Sequence, residues 1–539
     1  MPWISSFFHP ARVARSGARY QPLHDAMGDD TVYQQSDDIQ DAVMGNHRVV
    51  VTEGDNKRIR QKTDKVILVI LVWVYFLQIL DKTVLGFSAI YGLQHDTHLT
   101  GNQYSLVGAI APLAQLIWQP FSSVLIVKVP PRMLMPLLVL GWGIAQCLMP
   151  LCRNLAHLLV DRFFLGLFEA GCLPLFSIIT GQWYRRSEQP LRVAAWYGTN
   201  GLGTIAAALL SYGLGHVTNS RLASWQLIFL ITGLITVITV PWIYWKLDND
   251  ISSARFLTPK ERSQAQERLR ANQTGAHTGK INWNHVSEIF LDVKTYLFIV
   301  MALANNLGAQ VTNIFGPLIL SGLGFDRYKT TLLNIPFGVV QWLIIILTAY
   351  AASKTRRKSL TLLGMLFPVL TGLVMLYLLP RGESNTTGLL LTGYYFLAFI
   401  FGGNPLIVSW ILANTGGETK RAAVMSLYNA ATSAGNIIGS LLFDSKDAPE
   451  YLPGLKSTMG VFAAMVAVVL LQTAILVLLN KKHSAMRVRN GKPAVMKDRS
   501  MEDEFTVDDM QEEDEAEPGR GTSLQDLTDR KNDEFVYVY

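Results

Sequence analysis

Arg162 and Glu169 stand seven residues apart in the apolar stretch "DRFFLGLFEAG". Seven residues make about two helical turns, so both side chains project from one stripe. A buried arginine offers a planar fork that grips a carboxylate with two hydrogen bonds. A carboxyl group kept dry favours its neutral form and can exchange a proton with water near neutral pH. Together the two make an anion site with a proton switch. A second charged pair, Asp81 and Lys82, lies in "YFLQILDKTVLG", again within an apolar run. A charge at that depth in lipid costs a few kcal/mol or more unless it is paired or faces water. At ~1.5 Å per residue, Asp81 lies ~22 Å along its run and Arg162 ~10 Å from the opposite end of its own. Those depths nearly coincide, which allows an Asp81–Arg162 contact and makes Asp81 a second proton-coupling candidate beside Glu169. Lys82 points about 100° away from Asp81 on a helix, toward a structural or gating role rather than substrate contact. The alternative for the whole set is a structural ion-pair network that fastens one helix to the other.

Other polar and aromatic residues interrupt the apolar runs. Tyr75, Gln78, Trp118, Asn200, Asn305, Gln310 and Asn404 are taken with Arg162 as substrate-binding candidates. For each, the competing role is a hydrogen bond between helices. No phosphate-cradling glycine loop and no metal-spaced His or Cys cluster is present, so neither a cofactor nor a metal is expected, and no enzyme activity. Cys147, Cys152 and Cys172 have no ligand spacing and read as packing residues.

The elements that must position these residues are membrane spans. Half of the 539 residues are hydrophobic and only 16% are charged. Twelve apolar runs reach the ~20 residues needed to cross ~30 Å of hydrocarbon. They cover 66–93, 104–127, 133–152, 155–183, 191–217, 224–246, 293–321, 328–352, 359–380, 386–414, 421–443 and 457–480. An all-α polytopic membrane protein follows, because only helices satisfy their own backbone in lipid this way. Short loops on the side of the chain ends hold eleven Lys or Arg against seven opposite, which places both termini in the cytosol. No cleavable signal peptide is visible, so the first span is expected to serve as an uncleaved anchor. The net charge of +6 gives no reason to invoke nucleic acid.

The long polar loop divides the spans six and six, the plan of two homologous bundles about a midplane site. The expected domains are a cytosolic tail at 1–65, a six-helix bundle at 66–247, a cytosolic loop at 248–292 with a helical segment "TPKERSQAQERLR", a second bundle at 293–480, and a disordered acidic tail at 481–539. Small residues four apart form one face on the fifth span (Gly203, Ala207, Ser211, Gly215) and one on the eleventh (Ala431, Gly435, Gly439). Such faces either pack statically or slide during gating.

Several segments carry a resemblance. "LDKT", "RFFLGLFEAGCLP", "WYRRSEQPLR" and "WYGTNGLG" in the first half, and "TTLLNIPFGVVQ", "NTGGETKRA", "GNIIG" and "DAPEYLPG" in the second, resemble the fungal allantoate permease family of anion:cation symporters. That family lies within the major facilitator superfamily, and the terminal "DLTDRKNDEFVYVY" is similar to its usual ending. The resemblance implies twelve helices in the major facilitator fold. It implies uptake of small organic anions, such as allantoate, ureidosuccinate, small peptides or vitamins, driven by protons at the plasma membrane. It also assigns Arg162 to the substrate carboxylate and Glu169 to proton coupling. The loop "SSVLIVKVPPRML" lacks the superfamily's usual aspartate, which leaves the cytosolic latch unassigned. A proton-driven exporter of a secondary metabolite and a non-transporting nutrient receptor remain as alternatives. Asn385 opens an Asn-Thr-Thr sequon in an outer loop and is the expected glycosylation site. The partners expected are the anion, protons and the lipid bilayer, and the chain is expected to act as a monomer.

Overall fold

The computed structural model describes residues 51–539 except 186–187, 218–220, 271–281, 356, 382–383, 449, 492–493, 495–527 and 533–534. The first bundle is formed by α1 (Val69–Ile90), α2 (Gln103–Lys128), α3 (Pro131–Leu148), α4 (Leu155–Glu169, resuming as Cys172–Trp183), α5 (Gln189–Tyr197 with Thr199–Gly215) and α6 (Ser224–Lys246). The second is formed by α7 (Val293–Ser321), α8 (Arg327–Thr355), α9 (Lys358–Leu378), α10 (Ser384–Phe396, a tighter turn Leu397–Gly402, then Gly403–Ala413), α11 (Glu418–Leu441) and α12 (Leu452–Arg489). Among the described residues, nine helices are long and apolar enough to cross a membrane. The other three expected spans are occupied by α2, α5 and α11.

Those three are also seam helices. α5 packs on α8 and α2 on α11 across the two bundles, and α1 meets α7. The α5–α8 approach depends on two glycines. A Cβ on Gly201 would lie 2.3 Å from the Gly338 carbonyl oxygen, closer than atoms pack. The small faces noted in the sequence serve a different contact. Gly203 abuts Ile79 of α1, while Gly435 and Gly439 abut Leu303 and Leu307 of α7. They fasten each helix inside its own bundle, and the cross-bundle seam falls on other faces.

Alternation of the helices puts both described ends of the chain on one face, the termini face, with the opposite side as the far face. In the far halves the bundles are closed against each other. Tyr91 Oη lies 3.2 Å from Thr331 Oγ1, and Ser105 Oγ donates to the Phe443 carbonyl at 2.8 Å. Tyr104 Oη reaches the Ile314 carbonyl at 3.4 Å. Large apolar side chains such as Leu137, Ile238, Phe367 and Leu378 are left exposed on the outer surface, as lipid-facing positions require.

Two boundaries differ from the sequence expectation. The first helix begins at Glu53, capped by Thr52, whose hydroxyl accepts from Asp55 N at 3.2 Å, and runs into α1 through Asp64–Leu68. Polar residues therefore belong to its first turns. They are held by ion pairs to elements of the same face, including Arg192–Asp64 at 2.8 Å and Lys62–Glu261 at 2.7 Å. Glu261 lies on Pro259–Arg270, the helix expected within the central loop. The expectation of disorder from residue 481 also fails at both ends: α12 continues to Arg489, and Thr528–Asn532 with Phe535–Tyr539 pack onto the second bundle. The acidic stretch 498–517 lies outside the described residues.

Candidate functional site

α4 breaks immediately after Glu169, at Ala170–Gly171, and α10 tightens just before Gly403 and Asn404. These are the fourth helices of their bundles, and both interruptions lie beside polar residues. Discontinuous helices at corresponding positions of two repeats mark the usual location of a transport site.

Glu169 is buried and reaches two partners toward the centre. Its Oε2 accepts from Gln115 Nε2 at 2.8 Å and lies 3.4 Å from Lys82 Nζ. Its Oε1 has no hydrogen-bond partner. The Lys82 side chain is 30% exposed and Glu169 only 1%, so the pair spans from the buried stripe of α4 to more open space. Lys82 is thus the charged residue of α1 that meets Glu169, in an ion pair between helices. A signal was available: Tyr75 and Lys82 are seven apart and share a stripe, as Arg162 and Glu169 do.

Asp81 faces the other way. Its Oδ2 accepts from Trp142 Nε1 of α3 at 3.0 Å and from Thr236 Oγ1 of α6 at 3.3 Å. The Asp81–Arg162 contact that the depths allowed is not among the described ion pairs. The two depths agree, but the helical phase of Asp81 directs it between α3 and α6.

Arg162 is 3% exposed. Its guanidinium carbon stands 5.7 Å from the Phe229 ring centroid of α6, a cation–π contact, while Nε and Nη2 have no hydrogen-bond partner. Buried, unmatched guanidinium donors are costly and favour an incoming anion.

Below this cluster a polar layer joins the bundles. Tyr75 lies among Trp196, Tyr197 and Phe176, with ring centroids 5.1, 5.5 and 5.9 Å away, and its hydroxyl accepts from Asn200 Nδ2 at 3.2 Å. Asn404 Nδ2 donates to Tyr197 Oη at 2.7 Å across the bundles. The carboxamides of Asn404 and Asn306 bond reciprocally, at 2.9 and 3.0 Å. Asn305 packs on Gly403, where a Cβ would lie 2.2 Å from its Oδ1. Gln78 Oε1 and Asn305 Nδ2 are buried without partners. Gln341, of α8, accepts from Thr204 Oγ1 at 3.1 Å.

The structure therefore groups Tyr75, Asn200 and Asn404 with Tyr197 and Asn306, and groups Glu169 with Lys82 and Gln115. Gln310 sits apart in the far half, donating to Ser440 Oγ at 3.1 Å. Trp118 stacks on the exposed Phe121 at 5.0 Å, with no described bond to this cluster. Asn385 opens the first turns of α10, and its side chain lies outside the described residues. Among the described residues no group of His, Cys, Asp and Glu could hold a metal ion.

Residues 71–440 match the family model of the Major Facilitator Superfamily. An uncharacterized transporter of Schizosaccharomyces pombe is 30% identical over 93% of this chain and 91% of its own length. The thiamine pathway transporter of Saccharomyces cerevisiae is 31% identical over 74% of this chain and 75% of its own. The allantoate permease of the same yeast is 28% identical over 91% and 88%. In fold, the chain is similar to a bacterial homolog of the human lysosomal transporter Spinster, with a TM-score of 0.57 at 14% identity over 76% of this chain and 96% of that one. The chain belongs to the Major Facilitator Superfamily and is a multi-pass membrane transporter related to fungal carriers that include allantoate permease.

Proposed function

We propose that the protein takes up a small organic anion together with protons by alternating access. The observation that carries this reading is the Lys82–Glu169 pair beside the unmatched donors of Arg162. A proton on Glu169 removes the charge that holds Lys82. Lys82 Nζ is then free to turn toward a substrate carboxylate, with Arg162 as the second cation. Deprotonation on the other side restores the Lys82–Glu169 pair and displaces the anion. Proton and anion thereby move together.

Tyr75, Asn200, Asn404, Asn306 and Tyr197 line the layer below and offer hydrogen bonds to the rest of the substrate. The seams at α5–α8 and α2–α11 are where one bundle rocks against the other. In this reading the termini face is cytosolic, in keeping with its Lys and Arg excess, and the protein acts as a monomer in the plasma membrane with Asn385 outside. Similarity to allantoate permease puts ureido carboxylates first among candidate substrates.

The test is uptake into proteoliposomes of purified protein. Radiolabelled allantoate, nicotinate and a dipeptide are offered with and without an inward proton gradient. Concentrative uptake of at least one, abolished by a protonophore, is expected. Uptake indifferent to the protonophore contradicts proton coupling, and accumulation only with the gradient reversed makes the protein an exporter.

A further inference from the structure

Thr528–Asn532 and Phe535–Tyr539 lie across the termini face of the second bundle. Asp529 is fully buried, with Oδ2 2.6 Å from Lys294 Nζ and Oδ1 2.8 Å from Lys420 Nζ. Both lysines are themselves buried, one at the start of α7 and one at the start of α11. Gly416 N donates to Asp529 Oδ1 at 3.2 Å, and Tyr537 Oη donates to Asp529 Oδ2 at 3.0 Å. Thr528 Oγ1 donates to Glu288 Oε2 at 2.8 Å.

The other end of the segment is held by main-chain bonds. Val538 N donates to Asn414 Oδ1 at 2.8 Å, while the Val538 carbonyl accepts from Trp410 Nε1 at 2.7 Å and from Asn414 Nδ2 at 2.8 Å. On α12, Asn480 bonds both the N–H and the carbonyl of Tyr537, at 2.9 and 2.8 Å. The segment thus ties α7, the end of α10, α11 and α12 together.

Its hold on α10 has a consequence for the site. The second part of α10, Gly403–Ala413, is set off from the first by the tighter turn Leu397–Gly402. One end of this short rigid piece carries Asn404, which bonds Tyr197 of the opposite bundle. The other end carries Trp410 and leads into Asn414, which bond Val538. Whatever fixes Trp410 and Asn414 fixes the placement of Asn404 as well.

We infer that the described parts of the C-terminal segment, Thr528–Asn532 and Phe535–Tyr539, act as an intramolecular strap that holds Gly403–Ala413 where Asn404 meets Tyr197, so that releasing the strap opens the contact between the bundles on the termini side. The strap does not touch the Lys82–Glu169 pair, and its role is independent of which anion is carried.

The experiment needs no substrate. Spin labels are placed at Leu191 of α5, which is exposed, and at Leu412 of α10, in a full-length chain whose three cysteines are replaced by alanine. Their distance distribution is measured by pulsed electron resonance in nanodiscs for the intact strap, for Asp529→Lys, and for deletion of 528–539. A narrow distribution is expected with the strap intact, and a shift to longer distances in both variants. Adding a synthetic peptide of residues 527–539 to the deleted protein should restore the narrow distribution, which a misfolded protein would not do. An unchanged distribution in both variants overturns the inference, as does a shift that the peptide fails to reverse.

Discussion

Lys82 Nζ lies 3.4 Å from Glu169 Oε2, joining α1 to α4 at the point where α4 breaks. The pair is asymmetric, with its acid buried and its base partly open to the centre. If Lys82 receives the substrate, Lys82→Met should lose uptake by roughly 10- to 150-fold, as loss of a charge-assisted bond worth ~1.5–3 kcal/mol implies. Lys82→Arg should keep a measurable fraction. Initial uptake rates in cells expressing each variant at matched membrane abundance decide this.

Asp81 is predicted to be structural. Its Oδ2 receives bonds from Trp142 and Thr236, and asparagine can accept both with its own Oδ1. Asp81→Asn should therefore preserve both folding and the pH dependence of uptake. Asp81→Leu strands two buried donors at ~1–3 kcal/mol each and should lower the melting temperature in detergent. Loss of proton dependence in Asp81→Asn with stability intact would return Asp81 to the proton path.

The α5–α8 seam gives a conformational prediction. Gly201 leaves no room for a side chain against Gly338. Gly201→Val should cost ~1–3 kcal/mol by overpacking, and only in the state where the seam is closed. Populations then shift roughly 5- to 150-fold toward the alternative state. Accessibility of a cysteine introduced at the neighbouring Trp342 reports it: faster labelling is expected, and an unchanged rate contradicts the seam's role.

Docking of the strap depends on pH with a definite sign. Burial alone would raise the Asp529 carboxyl, but the ion pairs to Lys294 and Lys420 outweigh it and hold the group below its ordinary value of 3.8. A depressed carboxyl contributes stability above its unfolded value and loses it as pH falls through the lower docked value. The strap should therefore stay docked throughout the physiological range and release only in strong acid. Hydrogen exchange at Val538 N, measured between pH 5 and 7.5 and corrected for intrinsic rate, should show constant protection.

The twelve spans were legible because apolar runs of membrane length are a strong signal, and the Arg162–Glu169 stripe because seven residues return to one helix face. The Glu169 partner of Lys82 was missed because the direction of Lys82 was taken relative to Asp81 rather than Tyr75, which shares its stripe. The Trp142 and Thr236 bonds to Asp81 unite α1, α3 and α6, and no local pattern announces such a meeting. The strap was hidden by the acidic composition of 498–517, which coloured the whole tail. What distinguishes its end is one aspartate among Phe535, Tyr537 and Val538, matched to two lysines more than a hundred residues away.

The most direct measurement on the central claim separates exchange from coupled uptake in Glu169→Gln. Glutamine can keep the Gln115 contact but carries no charge for Lys82 to release. With a transported anion inside and outside proteoliposomes, the variant should still exchange label across the membrane. It should fail to accumulate the anion on an imposed proton gradient, and its exchange should no longer vary with external pH. Gradient-driven accumulation at the unmodified rate, with full pH dependence, would contradict Glu169 as the coupling group.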